Sequence, residues 1–164
     1  MAENLVTPQL TIPERLIRYW IPVGLMLCLM YFFSTDVFSG HNTQRVIDWL
    51  VNLIWGDDGK PSVRTTNFLV RKFAHFFEYA ILAALLFRAF RAESRIHWRL
   101  TWALYAFSIV IVWAFLDEFH QSFTKFRGSS VYDSLIDSAG GLFSLSLIAL
   151  YGYLKGRKRD SLIT

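Results

Sequence analysis

The sequence predicts an all-α, polytopic membrane protein: a four-transmembrane-helix bundle with an interfacial amphipathic helix in its first outer loop. Three observations carry that prediction. The 164-residue chain is 54% hydrophobic and 17% aromatic, a composition ill suited to a water-soluble domain of its size. Apolar runs occupy residues 17–33, 73–90, 100–116 and 135–154. Clusters of arginine and lysine lie in alternate connections between those runs. No internal repeat, low-complexity tract or linker divides the chain, so one domain is expected over residues 1–164.

A helix needs roughly 20 residues to cross a ~30 Å hydrocarbon core, so the second and third runs reach across only with their polar flanks. With Asn67 as the N-cap of the second and the third continued through Gln121, the expected spans are about 16–34, 67–90, 99–121 and 133–154. Arg15 ahead of the first run and Arg18 at its start also suit a signal peptide. Ser34, Thr35 and Asp36 follow Phe33, however, where a small-x-small cleavage site would stand, so an uncleaved helix is expected. Cys28 lies alone inside that helix and reads as a small packing residue. The first outer connection contains "TQRVIDWLVNLIW", in which Val46, Leu50, Leu53 and Ile54 recur at helical spacing and Trp49 and Trp55 suit a membrane interface. "GDDGKPS" after it is a turn by composition, and Asp57 and Asp58 lack the ligand spacing of a calcium loop.

Orientation follows from the charges. Arg15 and Arg18 precede the first helix; Arg88, Arg91, Arg95 and Arg99 lie between the second and third; Lys155, Arg157, Lys158 and Arg159 end the fourth. All fall on one side of a four-helix chain, which the positive-inside rule makes cytoplasmic, both termini included. The net charge of +4 then matches attraction to an anionic inner leaflet. No stacking platform or groove-reading helix points to nucleic acid. Most of the acids fall on the outward side.

Those acids sort onto helix faces. On the second helix Lys72, His75 and Tyr79 form a stripe at i, i+3 and i+7, with Glu78 beside His75. On the third, Asp117 and Gln121 share a face with Glu118 alongside, and His120 reads as a surface residue. On the fourth, Asp133 and Asp137 lead into Gly140, Gly141 and Ser144, small enough to admit a neighbouring helix closely. A lone ionised glutamate near the bilayer middle costs at least about 2–3 kcal/mol, so Glu78 must be paired, protonated or hydrated. The acids Glu78, Asp117, Glu118, Asp133 and Asp137 outnumber Lys72, Arg127 and whichever histidine is charged. Protons, a divalent cation or a ligand amine could supply the balance. Plainer readings stand beside these: Asp133 as the complement of a helix N-terminus, Tyr79 as a packing aromatic, Lys72 snorkelling to lipid phosphates, and the remaining acids as helix-locking ion pairs.

Common catalytic patterns are missing. "HFFE" is not the zinc-protease HExxH, no serine sits in a GxSxG elbow, and no glycine loop cradles phosphate, so no catalytic residue is assigned.

The ordered set "KFAHFFEYAILAALL", "DEFHQSF" and "RGSSVYDSLIDSAGG" resembles the VanZ-like family of small bacterial membrane proteins, whose namesake is associated with resistance to the glycopeptide teicoplanin. The resemblance covers about residues 72–141. The family's Lys, His and Tyr stripe falls on Lys72, His75 and Tyr79; its Asp-Glu and following Gln on Asp117, Glu118 and Gln121; its Arg, Asp and glycines on Arg127, Asp133 and Gly140 or Gly141. Where the family often shows Asn, this chain has Asp137, which adds a carboxylate. The resemblance implies a multi-pass protein of the bacterial plasma membrane with its polar cluster toward the cell wall and a link to glycopeptide sensitivity. It supplies no mechanism.

Three readings follow. In the first, an outward polar cavity engages a lipid-linked envelope precursor or the lipid-bearing antibiotic, with Lys72, Gln121 and Arg127 as donors and apolar walls receiving an acyl chain. In the second, the chain is an enzyme modifying an envelope lipid or cell-wall precursor. Glu78 or Asp117 then serves as acid or base beside His75, and a divalent metal could organise a phosphate. Proton-coupled transport is a third, for which four helices make a cramped path unless protomers combine through Gly152 and Gly156; nothing in the sequence fixes the oligomeric state.

Overall fold

A computed structural model describes residues 10–35, 40–55, 62–123 and 131–160. Regular structure among the described residues is helical throughout: α1 (Ile12–Phe33), α2 (Gly40–Trp55), α3 (Val63–Arg91), α4 (Leu100–Gln121) and α5 (Val131–Asp160). α1, α3, α4 and the Tyr132–Gly156 part of α5 are long and apolar enough to cross a membrane. Their outward faces fit that solvent. Leu25, Phe73, Phe77, Leu104 and Phe115 are each more than half exposed, an arrangement that is favourable against acyl chains and costly against water.

α3 is the hub and touches each of the other helices. Its buried face carries Tyr79, Leu82, Ala83, Leu86 and Phe87. Facing it, α4 buries Ala103, Ala106, Val110 and Ala114, a narrow stripe that lets the backbones approach where lipid offers no hydrophobic drive. At the basic end Phe87 stacks on Trp98 with ring centroids 5.3 Å apart.

α3 and α5 approach each other closely. A Cβ on Gly140 would stand 2.1 Å from the Phe76 carbonyl oxygen, and one on Gly141 would meet Val110 of α4 at 2.7 Å. Both glycines are therefore required by packing, one against each neighbour. α3 and α5 run parallel, so their contacts advance together: Lys72 meets Asp133, His75 faces Asp137, and Phe76 meets Gly140.

α3 begins at Val63 with Ser62 at its N-cap position, so Asn67 does not cap it. No glycine or proline interrupts residues 63–91, and the helix simply continues N-terminally. Asn67 is instead buried mid-helix, where the Thr43 hydroxyl of α2 donates to its Oδ1 at 3.2 Å. A helix, α2, forms in the connection between α1 and α3. It turns Ile47 and Val51 toward the bundle and leaves Trp49, Leu53 and Ile54 outward, each more than 60% exposed.

α1 holds a π turn at Leu16–Trp20 just ahead of Pro22. Proline brings no N–H to the Arg18 carbonyl, and the Arg88 guanidinium of α3 donates to it at 3.4 Å. Arg15 pairs with Glu93 at 3.0 Å in the connection after α3. Gly152 of α5 packs within the chain against Trp98, so it is not free to meet a second copy; Gly156 meets open space.

Candidate functional site

At the end opposite Arg15, Arg88 and Arg91, the polar side chains of α3, α4 and α5 converge. Asp133 lies in the first turn of α5, where the helix dipole favours an acid, and the Lys72 ammonium donates to its Oδ1. Lys72 also lies over the Phe68 ring, 5.2 Å from its centroid. Lys72 and Asp133 thus neutralise each other and are held in place by α3.

One turn further in, the side chain of Asp137 is 1% exposed and its Oδ1 stands 3.6 Å from His75 Nδ1, an ionic separation beyond hydrogen-bond reach. Asp117 of α4 completes a triad: one ligand atom from each of His75, Asp117 and Asp137 lies within 4.8 Å of the others. Gln121 Nε2 donates to Asp117 Oδ2 at 2.9 Å, which fixes that carboxylate and leaves Oδ1 toward other partners. Tyr79 is fully buried beside the triad, its hydroxyl without a hydrogen-bond partner, and its phenol is within electrostatic range of Asp117, Asp137, Glu78 and Glu118. Glu118 is buried at 7% and interacts there, so it is not a solvent-side acid.

The stripe expected on α3 therefore divides by partner. Lys72 serves Asp133 and His75 serves Asp137, while Glu78 turns toward a second feature. This is a pocket of about 420 Å³ between α1, α2 and α3. Its apolar wall includes Met30, Phe33, Val46, Ile47 and Val70; its polar groups are Ser34, Thr43, Asn67, Arg71, His75 and Glu78. His75 lies on both the pocket and the triad, and so joins them. Arg127 falls outside the described residues, as do Asp57 and Asp58. His120 is half-buried, its ring tilted against Tyr31 of α1 at 4.9 Å, so it packs and is not a free surface residue.

Arg71 was not singled out by sequence reasoning. It follows Asn67 by four residues and precedes His75 by four, a spacing that would have found a second polar stripe, 67, 71, 75 and 78, beside the one at 72, 75 and 79.

A family model described as VanZ/LLP1 matches residues 19–152, most of the chain and all of this site. The chain belongs to the VanZ/LLP1 family. No curated protein and no solved structure matches it significantly. The VanZ/LLP1 match extends from Tyr19 in α1 to Gly152 in α5, so the pocket between α1, α2 and α3 lies within the family's common region together with the triad.

Proposed function

We propose that this protein is a VanZ-type accessory protein of the bacterial plasma membrane that binds an amphiphile of the cell envelope, a lipid-linked precursor or a lipid-bearing glycopeptide, in the pocket beside α3. Family membership supports the link to glycopeptide resistance. The observation that carries the binding reading is the pocket itself. Its volume of about 420 Å³ lies in the ~300–1,000 Å³ range of small-molecule sites. Apolar side chains from three helices would take an acyl chain. Arg71, Asn67 and Thr43 at the same cavity would take phosphate or amide oxygens, Arg71 in the bidentate manner suited to anionic groups. On this reading the acidic end faces the cell wall and both termini are cytoplasmic, as the gathered arginines favour.

The test is tolerance of teicoplanin in a sensitive host expressing the chain at matched abundance. Arg71→Gln and the pocket-filling Ala74→Trp should each abolish most of the protection given by the wild type. Full protection by both variants would refute the pocket as the binding site.

A second reading is favoured by the grouping of His75 with two carboxylates whose ligand atoms lie within 4.8 Å: an enzyme that acts on the same amphiphile by acid–base chemistry, with Asp117 or Glu78 exchanging a proton and His75 as partner. Incubation with envelope lipid extract separates the two. An enzyme yields a new lipid species; a binding protein returns the lipid unchanged.

A further inference from the structure

We propose that His75, Asp117 and Asp137 hold one divalent metal ion, with the Tyr79 hydroxyl at its edge. The ion site rests on the triad and not on the amphiphile reading. Side chains from three separate helices bring one imidazole and two carboxylates together, their ligand atoms within 4.8 Å of one another. At metal–ligand bonds of about 2.1 Å, tetrahedral neighbours lie about 3.4 Å apart. The 3.6 Å between His75 Nδ1 and Asp137 Oδ1 is already close to that value, and Asp117, with a ligand atom within 4.8 Å of both, has about 1 Å to close on binding.

Burial supplies the second, independent argument. Asp137 is 0% exposed, and neither of its carboxylate oxygens has a hydrogen-bond partner; nor does His75 Nδ1 facing it. The Tyr79 hydroxyl is buried beside them in the same condition. Buried polar groups of folded proteins are almost always satisfied, and unpartnered carboxylate oxygens facing an unpartnered imidazole nitrogen suit a partner that takes lone pairs from oxygen and nitrogen at once. A cation does that. The charge balance agrees. Asp133 is neutralised by Lys72, whereas Asp117 and Asp137 have no lysine or arginine against them among the described ion pairs. A divalent ion cancels the pair, with neutral imidazole as the third ligand.

The ligand set selects the ion. Two carboxylates and one imidazole suit Mn²⁺ or Zn²⁺ over Ca²⁺, which takes oxygen ligands in larger number. Three protein ligands leave at least one coordination position open, the arrangement of sites that bind or activate something further. Gln121, through its bond to Asp117 Oδ2, is the positioning residue for this site.

The experiment uses the full chain in nanodiscs, stripped with chelator and titrated with Mn²⁺ or Zn²⁺, with bound ion read by elemental analysis and by Mn²⁺ electron paramagnetic resonance. The wild type should bind one ion per chain. Asp137→Asn and His75→Gln should weaken binding by more than about 100-fold, and Gln121→Leu by about 10–100-fold, the range for groups that orient ligands. Asp133→Asn, whose partner is Lys72, should bind as the wild type does. Thermal unfolding guards against misfolding. Without metal, Asp137→Asn should melt no lower than the wild type, since it removes a buried charge; with metal the wild type and Asp133→Asn should gain and Asp137→Asn should not. A wild type that binds no ion, leaving Asp137 neutralised by a proton, would overturn the proposal. So would equal affinity in Asp137→Asn and Asp133→Asn.

Discussion

Asp117 and Asp133 lie at the same end of the bundle, yet their partners give their loss different consequences. Asp117 is half-buried and is held by Gln121 one turn away on its own helix, so in the metal-free chain Asp117→Ala removes one hydrogen bond that locks no two helices together. Stability should fall by no more than about 1–2 kcal/mol, whereas protection against teicoplanin should be lost. An abundant, folded and fully protective Asp117→Ala protein would contradict the site assignment. Asp133 and Lys72 join α5 to α3 with side chains 25% and 21% exposed. Lys72→Met should destabilise by about 1–2 kcal/mol, less than a fully buried pair because water still reaches both groups. Adding Asp133→Asn should restore most of the loss. A double-mutant cycle in mild denaturant measures the coupling, and additive losses would show that the pair contributes nothing.

At the scale of the element, the register of α3 on α5 is set by the contact of Gly140 with Phe76, since a methyl group there cannot coexist with the carbonyl oxygen. Gly140→Ala should force the helices apart, cost about 1–3 kcal/mol by overpacking, and loosen His75 from Asp137 one turn above. Unfolding in detergent checks it, and an unchanged midpoint would mean that the helices slide freely. The turn after α3 makes the opposite prediction. Ala92 has φ 44°, a region that favours glycine, and Ser94 N–H closes the turn on the Arg91 carbonyl at 3.0 Å. Ala92→Gly should raise stability by about 1 kcal/mol, seen as a higher midpoint in the same assay.

These elements also show what a single sequence reveals. The four spans were legible because each must present some 20 apolar residues to lipid, a demand that composition alone discloses. The pairing of Lys72 with Asp133 and of His75 with Asp137 was not. Periodicity places all four on helix faces but is silent on which helix runs beside which, and α3 and α5 are neighbours in parallel only because α4 returns the chain. Arg71 was missed for a related reason. Its value depends on α2 folding back over α3, a tertiary contact made by Thr43 and Asn67 that leaves no periodic trace. Asn67 was misread as a cap because a buried asparagine and a capping one look alike in sequence.

For the whole molecule, an uneven spread of charge is the organising fact: Arg15 and Arg88 pair, stack and donate at one end, while Asp117, Asp133 and Asp137 gather at the other beside a pocket. If the basic end is cytoplasmic, a membrane-impermeant thiol reagent applied to intact cells should label Ser62→Cys and should label Arg95→Cys only after lysis, in a Cys28→Ser background. The reverse pattern would invert the topology and with it the outward pocket. The account is tested most directly by native mass spectrometry of the wild-type chain and the Arg71→Gln, Ala74→Trp double variant, extracted gently from bacterial membranes. The wild type should carry an envelope lipid or lipid-linked precursor that the double variant has lost at equal abundance and fold. A wild type that emerges bare, or a variant that carries the same adduct, would contradict the pocket as the site of function.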